Sequence, residues 1–153
     1  MSRMSSLLGW SHVGVCCTDI ERSTAFYEQV FGFSPLFTME LGPDGRATME
    51  VDGRFLSRML VRPDMRLELL QWLDPLPTGD GTPRHMLGLG LTHLAFRVTD
   101  PAELYDAIEE HGGRVLRHSL SVIADGSVQL VYATDPDGTR IELMSGTPDF
   151  AQS

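Results

Sequence analysis

Four residues of this 153-residue chain set a proton-moving or metal-ligating side chain among apolar neighbours: His12, Glu68, His93 and Glu142. His12 lies in SHVGV, Glu68 in RLELL, His93 in THLAF and Glu142 in RIELM. A carboxylate flanked by aliphatic residues is costly to bury unless it is paired. Two imidazoles and two carboxylates suit a borderline or hard divalent ion: Zn, Ni, Co, Mn or Fe(II). With no thiolate in the set, a structural zinc site is disfavoured. Taken singly, each residue has the ordinary reading of a hydrogen-bonded strand residue; their placement argues for more.

That placement is a repeat. WSHVGVCCTD, from Trp10 to Asp19, returns as LTHLAFRVTD from Leu91 to Asp100, so that His12 matches His93, Thr18 matches Thr99 and Asp19 matches Asp100. Arg66-Leu67-Glu68-Leu69-Leu70 likewise matches Arg140-Ile141-Glu142-Leu143-Met144. Each copy supplies one histidine near its start and one glutamate near its end. A pseudo-symmetric four-ligand cage follows as the expectation.

The elements that must carry these residues read the same way twice. Alternation predicts a first strand over Gly9 to Cys17, with His12, Gly14 and Cys16 on one face. Asp19 is placed to cap a helix running through Ile20, Thr24, Tyr27 and Phe31 to Gly32. Strands are predicted at Ser34 to Leu41, Phe55 to Arg62 and Met65 to Trp72, with turns at Gly42-Pro43-Asp44-Gly45 and Pro63-Asp64. Residues 46 to 54 carry no clear pattern. The stretch from Leu73 to Gly88, rich in proline and glycine, reads as a linker between halves, neither of which is large enough to close a core alone. A strand over Leu89 to Val98 follows, then a helix opened by Asp100-Pro101-Ala102-Glu103 and stopped by Gly112-Gly113. Strands at Arg114 to Ile123, Ser127 to Thr134 and Thr139 to Met144 complete the second unit, with residues 145 to 153 as a tail. The expected architecture is α+β: one domain of two tandem βαβββ modules forming a curved mixed sheet around a metal cleft.

Composition narrows the function. The chain is 42% apolar, carries 12 arginines and no lysine, and has a net charge of −9. Schiff-base chemistry on lysine is excluded, and the acidity argues against a nucleic-acid partner. No run approaches the length of a membrane span, and the first ten residues lack the apolar core of a signal peptide, so a cytoplasmic location is expected. Cys16 and Cys17, adjacent on a strand, point to opposite faces and read as reduced packing residues.

The paired modules, the His12, Glu68, His93, Glu142 set and the sequence DPDGTRIELM from Asp135 to Met144 resemble the vicinal oxygen chelate superfamily, which includes glyoxalase I, methylmalonyl-CoA epimerase, extradiol dioxygenases and the fosfomycin and bleomycin resistance proteins. The resemblance spans about Gly9 to Ser145. It implies one divalent metal ion held by all four residues, a small-molecule substrate, and a homodimer, with the cage either within one chain or completed across the dimer. Glu68 as a fourth ligand resembles the glyoxalase and epimerase branches and implies redox-neutral proton transfer next to a carbonyl. Glu142 and Glu68 are then the expected proton carriers. The alternatives are an extradiol-type Fe(II) dioxygenase and a metal-free drug- or metabolite-binding protein.

Two departures bear on the substrate. Glyoxalase I typically has an arginine four residues after its first ligand and an asparagine four after its second, where this chain has Cys16 and Trp72. The epimerase branch has a further acidic residue ahead of its second ligand, which implies Asp52, with Glu50 beside it. Arg97, four residues after His93 and on its face of the strand, is a candidate clamp for a substrate carboxylate or phosphate.

Overall fold

A computed structural model describes residues 6–42 and 46–146. Its elements are β1 (Val13–Cys16), α1 (Ile20–Phe31), β2 (Ser34–Leu41), α2 (Arg46–Met49), β3 (Arg54–Arg62), β4 (Met65–Asp74), β5 (Leu94–Arg97), a 3-10 turn (Pro101–Leu104) leading into α3 (Tyr105–Glu110), β6 (Arg114–Ile123), β7 (Val128–Thr134) and β8 (Arg140–Ser145). The strands form two four-stranded sheets of matching order, β1-β4-β3-β2 and β5-β8-β7-β6. The two βαβββ modules are thus present, as two sheets whose edge strands β1 and β5 each run parallel to the last strand of their own module.

Local chemistry sets the helix ends. The Asp19 carboxylate accepts from the amides of Glu21 and Arg22, satisfying two of the donors a helix start leaves open. Gly32, at φ 68°, turns the chain into the left-handed region and lets its amide reach back to Glu28. Asp100 repeats the cap on a smaller scale, accepting from Ala102 alone. There Pro101 opens a 3-10 turn before α3, so the second helix is broken where a continuous one was expected.

The strand before each helix is shorter than the pattern predicts. β1 begins at Val13, not Gly9, and β5 spans Leu94–Arg97, not Leu89 to Val98. Leu89 and Leu91 are exposed, and Gly90 adopts φ 110°, which takes this segment off the sheet. Residues 46 to 54 include the short helix α2. The turn expected at Gly42 to Gly45 lies outside the described residues from 43 to 45, as do residues 1–5 and the tail from 147.

One core joins the modules. Phe26, Tyr27, Phe31 and Phe33 of the first half meet Phe96, Ile108, Val131, Ile141 and Leu143 of the second, all buried. Phe31 stacks on Phe96 with ring centroids 4.2 Å apart. Polar pins sit beside it. The buried Tyr27 hydroxyl donates to Asp135 Oδ2 at 3.0 Å, and Asp137 accepts from the Thr18 amide, the Thr18 hydroxyl and Arg22. Burial pushes the Asp135 carboxyl upward against the hydrogen bonds it accepts. The linker lies against the second module: Arg140 donates to the Arg84 carbonyl and Arg114 to that of Gly81.

Candidate metal centre

The sheet register sets each histidine beside its module's glutamate. Gly14 on β1 pairs with Glu68 on β4, which brings His12, two residues earlier, to the same face. Ala95 on β5 pairs with Glu142 on β8, and His93 is two residues earlier in the same way. His12 Nε2 stands 3.1 Å from Glu68 Oε2, and His93 Nε2 stands 3.2 Å from Glu142 Oε2. All four side chains are partly open to solvent.

These distances fit a shared ion. Ligand atoms about 2.0–2.2 Å from a divalent ion stand about 3.0 Å apart at right angles and about 3.4 Å apart in a tetrahedron. The second nitrogen of each ring agrees with that use. His12 Nδ1 lies 2.9 Å from the Ser11 hydroxyl, and His93 Nδ1 lies 2.9 Å from that of Thr92. In the tautomer that donates Nδ1–H to the hydroxyl, Nε2 presents a lone pair. In that tautomer the Nε2 lone pair and the carboxylate oxygen 3.1 Å away are both free to ligate one ion; in the other, Nε2–H donates to the carboxylate directly. Ser11 and Thr92 are legible in the repeat, as a hydroxyl residue directly before each histidine.

The four residues are brought together as two pairs. Among the described residues, no group of three or more His, Cys, Asp or Glu side chains is arranged within the chain to hold a metal ion. Each pair joins one histidine to one glutamate of its own module.

The halves differ in their surroundings. Ser57, buried on β3, donates from its hydroxyl to Glu68 Oε1 at 2.5 Å. Glu142 instead faces Tyr132 across the β7–β8 pair, and the Tyr132 ring meets the His93 ring edge-on at 5.4 Å. Partial burial, followed by the charge of Glu142, raises the Tyr132 phenol, which keeps it a neutral donor. Around Glu68 the open face of the first module is apolar: Met59 pairs with Glu68, Phe37 with Met59 and Met39 with Ser57.

Two clefts lie along the β1 and β5 edges. One of about 480 Å³ is lined by His93 with Gly14, Cys16, Arg84, Leu91 and Arg140. The other, about 890 Å³, is lined by Trp10, Arg62, Asp64, Arg97, Thr99 and Met144. Arg97 therefore lies in a different cleft from His93, because four strand residues carry it about 13 Å along β5. Asp52 and Glu50 sit in the exposed loop ahead of β3. Trp72 packs on Phe55, and burial followed by the charge of Asp137 raises the Cys16 thiol. His85 organises its own loop, its ring accepting from the Leu87 amide.

The profile of the Glyoxalase/Bleomycin resistance protein/Dioxygenase superfamily matches residues 9–143. Lactoylglutathione lyase of Escherichia coli O157:H7 is 28% identical over 126 residues, 82% of this chain and 84% of the relative. Metallothiol transferase FosB of Lysinibacillus sphaericus is 27% identical over 139 residues, 90% of this chain and 82% of the relative. Among solved structures, a glyoxalase family protein from Bacillus cereus superposes with a TM-score of 0.78 at 23% identity, covering 95% of this chain and 98% of its own. The fosfomycin resistance protein FosX from Listeria monocytogenes, solved with Mn(II) and sulfate, gives a TM-score of 0.60 at 17% identity, covering 96% and 99%. These likenesses show the fold.

Proposed function

Because the chain belongs to the glyoxalase/bleomycin resistance protein/dioxygenase superfamily, we propose that it is a divalent-metal-dependent isomerase or lyase that moves a proton at a carbon next to a carbonyl. The observation that carries this reading is the pair of matched His–Glu contacts, 3.1 and 3.2 Å, each between a histidine just ahead of its module's first strand and a glutamate on the last. Since the described residues of each chain bring the four side chains together only as two pairs, the cage of this reading is completed by a second copy: His12 and Glu68 of one protomer with His93 and Glu142 of its partner. This makes the active form a homodimer.

His12, Glu68, His93 and Glu142 would hold a divalent ion, which when bound would supply Lewis-acid polarisation of the substrate carbonyl. The chain's own residues do the rest. Glu142 accepts the proton from the carbon and returns it, with Glu68 as the second candidate carrier. Tyr132, beside Glu142, holds a phenolic proton within the same half-site. The apolar wall of Phe37, Met39 and Met59 receives the carbon side of a small substrate and excludes water around Glu68. Cys16 and Trp72, where glyoxalase I carries glutathione-holding residues, leave the polar arm of the substrate to other groups. Small α-keto hemithioacetals and acyl thioesters are the substrate classes this reading covers.

The test is solvent exchange. With metal-loaded protein in deuterium oxide, deuterium enters the α-position of a panel of α-keto hemithioacetals and acyl-CoAs, and Glu142→Gln abolishes it. Absence of exchange across the panel, or dioxygen consumption with catechols that survives Glu68→Gln, overturns the reading in favour of binding or oxygenase chemistry.

A further inference from the structure

The repeat makes the two glutamates equivalent by position, yet their neighbours on the adjacent strand are not. Ser57 pairs with Leu70, two residues beyond Glu68; the matching position in the second module is Leu130, which pairs with Met144, two residues beyond Glu142. A hydroxyl thus stands over one carboxylate where an aliphatic side chain stands over the other. Ser57 is only 1% exposed, and its hydroxyl donates to Glu68 Oε1 at 2.5 Å while Oε2 turns to His12. Both oxygens of Glu68 are therefore committed.

We propose that Ser57 is a positioning residue that locks Glu68 as a fixed metal ligand and so makes the two halves of the cage unequal. The proposal rests on the metal-centre reading above. A carboxylate free to rotate about its last bond loses entropy when it ligates; one already held by a buried hydroxyl does not. A short bond from a neutral hydroxyl to a carboxylate is also among the stronger hydrogen bonds available to a side chain. Leu130 offers no such donor, so the second half-site lacks this buried hydroxyl hold on its glutamate, whose neighbour across the strand pair is Tyr132.

Cobalt(II) titration of the metal-free protein tests this without any turnover, through calorimetry and the visible absorption of the bound ion. Removing an outer partner of a metal ligand typically weakens binding 10- to 100-fold. Ser57→Ala is expected to weaken cobalt binding by about that factor and to alter the absorption band, while Ser57→Thr, which keeps the hydroxyl, stays close to wild type. Thermal melts of the three metal-free proteins separate a loss of positioning from a loss of fold. Equal cobalt affinity in wild type and Ser57→Ala overturns the role of Ser57 alone, as does a Ser57→Thr that folds and yet binds as weakly as Ser57→Ala. Failure of the wild-type chain to take up cobalt overturns the metal centre itself.

Discussion

Cys17 shows how a residue with no part in the chemistry still sets a limit on the protein. Its thiol is buried, and burial holds its pKa up at about 12 against an ordinary value near 9. The folded state keeps the proton through that interval while the unfolded chain releases it. The stability this gives is complete below about pH 9 and is lost as pH rises toward 12. Burial likewise keeps the Tyr27 phenol neutral well above its ordinary range, adding in the same direction. Urea denaturation across this range should show stability falling steeply, with a shallower fall in Cys17→Ala. An unchanged slope in that variant would remove Cys17 from the account. At this scale the sequence was most informative about His12, Glu68, His93 and Glu142, because the repeat marks them and each histidine stands beside its module's glutamate. It was silent on Ser57 and Tyr132, which carry no periodic signal and acquire meaning only through strand register.

Among the elements, α1 carries the most legible instructions. Asp19, the apolar spacing and Gly32 predicted its bounds, and the helix runs Ile20–Phe31 between that cap and that glycine. Replacing Asp19 by alanine removes the acceptor for two amides and should cost about 1 kcal/mol. Asp100→Ala, which removes one, should cost less. Denaturant midpoints with unchanged slopes would measure both, and an equal or reversed order would contradict the capping geometry. β2, β4 and β6 began where alternation placed them. β1 and β5 did not, because apolar residues such as Leu89 and Leu91 satisfy the strand pattern while standing exposed beside the site. Hydrophobicity marks a surface that meets something, and within one chain it does not say what.

For the molecule as a whole, the fold was readable from its repetition, and the relation between the halves was not. Sequence placed one histidine and one glutamate in each module. It left open whether the modules of one chain close on each other, since the contacts that decide this join distant positions: Phe31 with Phe96, Tyr27 with Asp135, Thr18 and Arg22 with Asp137. Asp137→Ala strands four donors at this seam, the Thr18 amide and hydroxyl, Arg22 and the more distant Ser23 hydroxyl, and should cost about 2 kcal/mol, given that hydrogen bonds to charged groups contribute about 1.5–3 kcal/mol each and these are partly solvated. A loss within error of zero would mean that the apolar core alone holds the modules.

The described residues of one chain bring the four side chains together only as two His–Glu pairs, and the proposed cage takes one pair from each of two protomers. Co-expression of two double variants, His12→Ala with Glu68→Ala in one chain and His93→Ala with Glu142→Ala in the other, tests it directly by metal content per chain. Each variant alone should bind no metal. Random pairing makes about half of the dimers mixed, each with one whole cage, so the mixture should regain about a quarter of the wild-type metal. A mixture as empty as its parents would contradict a cage shared between protomers.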